Sequence, residues 1–246
     1  MCGLLAVEAP VAHAVPALQL DIAGGFYDNI DQSIMTNSNT FTVYALLDTT
    51  ARPGSAPSLT DTYFLSVALE PVTSASANLG SFSVNGTTVN ATSDMTFGTP
   101  PIERILGGAA ADPGDLAPHG VYPTYFREFA FTFNGSNTAG IYNTATTPGG
   151  ISANLGGGGL LYAAFQLDLT LLNPNYALHF DLYNERVGHC VPGCPSDLDV
   201  NYWAPFSHDA GTTTTRGVPE PSAALLLGVG LVGFGVWQRI RSAQSA

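Results

Sequence analysis

Cys190-Val-Pro-Gly-Cys194 is the pair of side chains that spacing best prepares to react with each other. A Pro-Gly turn folds the two thiols back on one another, and in an oxidising compartment they close a disulfide. So short a loop gains little in chain entropy, and the bridge mainly fixes a local bend. A second reading takes His189, Cys190, Cys194 and His208 as imidazole and thiolate ligands of zinc, although Cys-x3-Cys beside one His is a weak zinc spacing. Asp197-Leu-Asp199, with Asp209 close behind, and Asp112-Pro-Gly-Asp115 offer oxygens to calcium. Neither segment is an EF-hand or a calcium-repeat loop, so Asp197, Asp199 and Asp209 are the weaker metal candidates and solvated acidic loops the default.

Ser207-His208-Asp209 spells a catalytic triad, but adjacent residues of an extended chain point to opposite faces, and no Gly-x-Ser-x-Gly elbow supplies a nucleophile. It reads as a polar turn closing the domain. Glu103, Glu128 and Glu185 could serve glycoside hydrolysis, yet nothing in the sequence sets the separation that chemistry needs. The glycines at 156–159 lack the Lys of a phosphate loop, since the chain contains no Lys, and they read as a flexible turn. Tyr202 and Trp203 could stack on sugar rings; packing is the plainer role. No catalytic residue and no cofactor is expected.

The elements that must carry these residues are strands. Leu18, Leu20 and Ile22 alternate with Gln19 and Asp21, and Tyr63, Leu65, Val67 and Leu69 alternate with Phe64, Ser66 and Ala68. Segment 41–47 is β-branched and aromatic, 126–133 alternates aromatics with polar residues, and Asn85-Gly86 marks a tight hairpin over 81–89. Residues 160–172 and 176–183 read as long neighbouring strands joined by an Asn173-Pro174-Asn175 turn. No internal stretch has helical periodicity. The fold class is all-β: an antiparallel β-sandwich with long loops over 15–210, followed by a flexible tether at 211–217.

Charged residues make up 11% of the 246, and seven Arg face 19 acids for a net charge of −12. Such a chain cannot neutralise phosphates, which excludes nucleic acid as a partner. Its ends point to the cell envelope. Ala12-His13-Ala14 is a signal-peptidase-type site after a partial apolar stretch, so residues 1–14 read as the remnant of a signal peptide whose true start lies upstream. At the other end, Val218-Pro219-Glu220-Pro221-Ser222 precedes an uncharged apolar run, 223–237, and then Arg239 and Arg241. A transmembrane helix over about 222–238 is expected, with the arginines and the C-terminus in the cytoplasm.

Pro219-Glu220-Pro221, the apolar run and Arg239/Arg241 together resemble the PEP-CTERM sorting signal of Gram-negative bacteria, here 218–246. The resemblance implies export, an inner-membrane anchor, and processing by exosortase after signal peptidase has acted. The mature protein would then lie in the outer envelope or extracellular matrix, in a system associated with exopolysaccharide and biofilm. Leu18–Asp28, Asp112–Gly120, His179–Tyr183 and Ala204–Ala210 further resemble the choice-of-anchor N family, which implies a single exported domain and brings no established activity with it. The leading expectation is a non-enzymatic structural or adhesive protein with exopolysaccharide as a candidate partner. A polysaccharide hydrolase and a calcium- or zinc-binding adhesion module are the alternatives.

Overall fold

Segments with period-two patterning become strands in a computed structural model that describes residues 15–50, 58–104, 111–113, 116–117, 119–187 and 198–214. In chain order they are β1 (Leu18–Ile22), β2 (Phe26–Asp28), β3 (Ser33–Thr36), β4 (Thr40–Asp48), β5 (Tyr63–Glu70), β6 (Ser81–Val84), β7 (Thr87–Asn90), β8 (Thr96–Gly98), β9 (Ile102–Arg104), β10 (Ala111–Pro113), β11 (Thr124–Phe131), β12 (Thr138–Gly140), β13 (Gly159–Asp168), β14 (Ala177–Val187), β15 (Leu198–Trp203) and β16 (Ala210–Thr212). Helix is confined, among the described residues, to one turn at Ile151–Asn154 and a 3-10 turn at Phe206–His208.

Two sheets face each other. One runs β1-β4-β13-β6-β7 with β12 beside β13; the other runs β2-β3-β16-β14-β5-β11-β8 with β15 beside β14, and β9 and β10 form a separate ribbon. Leu18, Leu20, Ile22, Val43, Ala45 and Leu47 of the first sheet share one core with Tyr63, Leu65, Val67, Leu178, Phe180 and Leu182 of the second. Aromatic pairs stitch the layers: Phe41 meets Phe180 edge-on at 6.1 Å, and Phe131 meets Phe165 at 5.0 Å. The 81–90 hairpin turns at Asn85 (φ 49°) and Gly86 (φ 78°), the two left-handed positions its Asn-Gly sequence announces.

Two expectations need correction. The strongest runs, β13 and β14, are not neighbours, for they lie in opposite sheets and the Asn173-Pro174-Asn175 turn carries the chain across the core. Both strands are apolar on the inward face, a pattern equally satisfied by pairing within a sheet or by facing across two. Among the described pairings β16 with β3 runs parallel, against an otherwise antiparallel fold. The tether expected from 211 starts later, because Gly211 and Thr212 belong to β16 and the Thr213 amide donates to the Thr36 carbonyl at 3.1 Å. Small and hydroxylated residues read as linker there, yet Gly211 is what admits the strand, since a Cβ would stand 3.0 Å from the Met35 sulfur.

β1 is buried on both faces. Its apolar residues enter the core, while Gln19 and Asp21 hold segment 142–151 over the other face. Gln19 receives the Thr144 amide at 3.0 Å and donates its side-chain amide to the Tyr142 carbonyl at 3.1 Å. Asp21 accepts four hydrogen bonds: Oδ1 from the amides of Ile22 (2.9 Å) and Gly149 (2.7 Å), Oδ2 from the Tyr142 hydroxyl (2.7 Å) and the Ile151 amide (3.0 Å). Burial raises its pKa, and the four donors pull against that rise. Asp21→Asn would aim an NH2 group at donors whichever way the amide turned, leaving backbone N–H groups unpaired. A loss of about 2–4 kcal/mol in denaturant unfolding is expected, against about 1 kcal/mol for Tyr142→Phe.

Candidate functional site

Strand alternation sends Leu178, Phe180 and Leu182 of β14 inward and leaves His179, Asp181 and Tyr183 on the outer face. That face is covered. Segment 119–123 lies over it, with Tyr122 donating its hydroxyl to Asp181 Oδ2 at 2.6 Å, and Ser66 of β5 placed 3.2 Å from the same hydroxyl. Tyr183 donates to Glu128 of β11 at 2.6 Å and stacks on Phe64 at 5.9 Å. The result is a polar seam between sheet and covering loop.

At one end of this seam His119, His179, Asp181 and Asp209 converge, with one donor atom from each lying within 4.8 Å of all the others. His119 Nε2 is 3.0 Å from Asp181 Oδ1 and 3.2 Å from His179 Nε2. His179 Nε2 is 3.4 Å from Asp181 Oδ1 and 3.9 Å from Asp209 Oδ2. Each side chain is more than nine-tenths buried, Asp209 to 1% exposure. His119 Nδ1 donates to the Ala117 carbonyl at 3.0 Å, and its ring lies flat on Phe206 at 4.3 Å. With Nδ1 donating to that carbonyl, Nε2 is the ring nitrogen that faces the cluster. A cleft of about 290 Å³, lined by Glu70, His119, His179, Phe206 and Asp209 among others, leads to the cluster. A larger, more open depression of about 670 Å³ adjoins it past Met35 and Glu70, without the histidines on its walls.

The electrostatics are those of charges held out of water. Burial lowers the pKa of His179, but the charge and hydrogen bond of Asp181, with the charges of Asp209 and Glu70, outweigh it and raise it to about 9. Burial raises Asp181, and the two histidines more than reverse that and hold it below the usual carboxylate range. Asp209 is pushed well above its ordinary value by burial and then by Asp181, with His179 opposing. Neither Asp209 oxygen finds a hydrogen-bond donor among the described residues. Two imidazole nitrogens and two carboxylates form a donor set that suits a divalent transition metal; calcium prefers oxygen alone.

Of the candidate site residues named from the sequence, only Asp209 joins this cluster. His189, Cys190, Cys194, Asp115 and Asp197 lie outside the described residues, as do Val218, Pro219, Glu220, Pro221, Ser222, Arg239 and Arg241. Asp199 is in β15, its backbone opposite Arg186, and Asp112 is in β10 opposite Glu103 of β9. Glu185 sits in β14 four residues beyond Asp181. Ser207 and His208 are joined at 2.8 Å, but the other ring nitrogen of His208 donates to Asn143 Oδ1 at 3.1 Å and Asp209 faces the cluster instead. The Ser-His-Asp text is therefore a turn. Gly156 supplies a left-handed residue (φ 77°), and Gly157 packs on β12 so closely that a Cβ would be 2.5 Å from the Gly140 nitrogen. Tyr202 packs on the core, whereas Trp203 is 45% exposed. His119, His179 and Asp181 were not recognised as ligands from sequence. The available signal was His-x-Asp in a strand, which places both side chains on one face.

Residues 217–240 match the PEP-CTERM protein-sorting motif. That motif supports exosortase-dependent sorting of an exported protein that is anchored in the membrane before processing. No curated protein and no solved structure matches the chain. No described helix is long and apolar enough to cross a membrane, and the span expected over 222–238 lies outside the described residues.

Burial lowers His208 to about 4 from 6.5. The unfolded chain therefore binds this proton more readily, and stability falls as the pH drops below about 6.5, levelling off below about 4. Thermal denaturation of His208→Gln should show a flatter acid limb. The difference between the two profiles should reach a slope of at most about 1.4 kcal/mol per pH unit.

Proposed function

We propose that this chain is a non-enzymatic component of the outer envelope or extracellular matrix, with the β-sandwich as the delivered part and the C-terminal segment as a removable membrane anchor. The observation that carries this reading is the order of parts: a sandwich whose last strand ends at Thr212, and a sorting motif that begins at 217. In this reading signal peptidase trims the N-terminus, residues 222–238 span the inner membrane, and Arg239 and Arg241 hold the C-terminus in the cytoplasm. Pro219 and Pro221 keep the motif extended and accessible to the protease. Cys190 and Cys194 close a disulfide in the oxidising space outside.

A structural or adhesive role among exopolysaccharides is favoured by a Lys-free chain of net charge −12, which repels anionic lipid and suits a hydrated polysaccharide environment. Trp203, exposed on β15, is a surface on which a sugar ring can stack. The hydrolase alternative needs two carboxylates set across a cleft. Of its candidates, Glu128 is held by the Tyr183 hydroxyl within the seam, which favours a packing role for it.

The test is the C-terminal mass of the protein recovered from cells and medium, with and without the host exosortase. A new terminus near Glu220, formed only when the protease is present, is expected. An intact Ala246 in both strains would make the segment a permanent anchor and refute the delivery reading.

A further inference from the structure

Four ligating side chains meet from three distant parts of the chain: His119 on the loop before β11, His179 and Asp181 on β14, and Asp209 at the entrance to β16. A regular tetrahedral zinc site with ligands at about 2.0–2.1 Å places neighbouring donor atoms about 3.4 Å apart. Four of the six separations, 3.0, 3.2, 3.4 and 3.9 Å, lie around that value, and every pair is within 4.8 Å.

Protons leave part of the cluster unanswered. His119 Nδ1 faces the Ala117 carbonyl, so Nε2 is the ring atom turned toward Asp181 Oδ1 and His179 Nε2. A proton on His179 Nε2 points in one direction and cannot serve His119, Asp181 and Asp209 together. Asp209, 99% buried, has no donor at either oxygen among the described residues. One divalent cation at the centre answers all four groups at once, since each would present a lone pair to it. The surroundings are those of a built site. The Ala117 carbonyl fixes the His119 tautomer, Tyr122 orients Asp181, and Phe206 supports the His119 ring.

We infer that His119, His179, Asp181 and Asp209 bind one zinc-class divalent transition-metal ion that locks the covering loop and the last strand onto β14. Two imidazoles set the class apart from calcium and magnesium, and the lack of thiolate in the set sets it apart from copper(I). The cleft at Glu70 and Asp31 gives the ion an acidic approach from solvent. All four protein ligands are used, so the role is structural.

The full-length chain, purified in detergent without chelator, should carry about one equivalent of zinc by elemental analysis. Chelation should lower its Tm and added Zn2+ should restore it. Cobalt(II) titrated into the chelated protein should give the strong visible bands of a tetrahedral ligand field. Tyr122→Phe, which removes the hydroxyl shared by Asp181 and Ser66 but touches no ligand atom, should weaken zinc binding about 10–100-fold. Asp209→Ala should lose the metal and yet be at least as stable as chelated wild type, because it removes an uncompensated buried carboxylate. The double variant Cys190→Ser/Cys194→Ser should keep its zinc. The inference is overturned by a chain that holds no stoichiometric metal and has a Tm indifferent to chelator and zinc. It is equally overturned by zinc that survives His179→Ala and Asp209→Ala, or that leaves with the two cysteines. Should those variants fail to fold, weak octahedral cobalt bands from the wild type would decide against it.

Discussion

β14 has neighbours on both edges and apolar side chains on only one face. Everything else in this protein follows from how that imbalance is resolved. Leu178, Phe180 and Leu182 fill the core, which obliges His179, Asp181 and Tyr183 to stand on the opposite side. A polar outer face is ordinary when water covers it. Here a loop covers it, so each group must find a protein partner or a cation. Tyr122 and Glu128 answer two of them. The same logic operates on β1, where Gln19 and Asp21 carry segment 142–151. Both strands use polar side chains to hold loops against a sheet, because an apolar second face would have made them indifferent to which loop arrived.

Local structure was largely legible in the sequence. Alternation at 18–22 and 63–69, and Asn85-Gly86, act within a few residues, and the backbone obeys them. Pairing was less so. Residues 160–172 and 176–183 have inward faces that fit either one sheet or two, and only the competition among all strands selects the second. Gly211 and Thr212 look like linker by type, but the gap between β3 and β14 accepts a strand with a glycine against Met35 and a threonine whose hydroxyl caps the Leu178 amide.

The site was legible in fragments. His-x-Asp on a strand, a histidine after Ala-Pro, and Ser-His-Asp near the end of the domain are each common and each say little. Their meeting depends on where 119 and 209 are carried by tertiary structure, over separations of 60 residues and 28 residues from His179 and Asp181 respectively. Ser207-His208-Asp209 misled in an instructive way. Adjacent side chains did diverge, as strand and turn geometry require, and the divergence sent Asp209 to a different partner set while His208 turned to Asn143.

The last strand enters the middle of its sheet, between β3 and β14, instead of joining at a rim. The Asp209 carbonyl, the Thr212 hydroxyl and the Thr213 amide bond to both neighbours. Only 214–216 separate that bonded strand from the sorting motif, a reach of at most about 14 Å. A load entering from the C-terminal side therefore meets β16 at its end, where it is held on both sides. Hydrogen bonds on its two sides would then be loaded together in shear and not unzipped one at a time. A domain fastened in this way resists traction best at the point where it is held, and its lifetime under load is set by how slowly that strand can slide out.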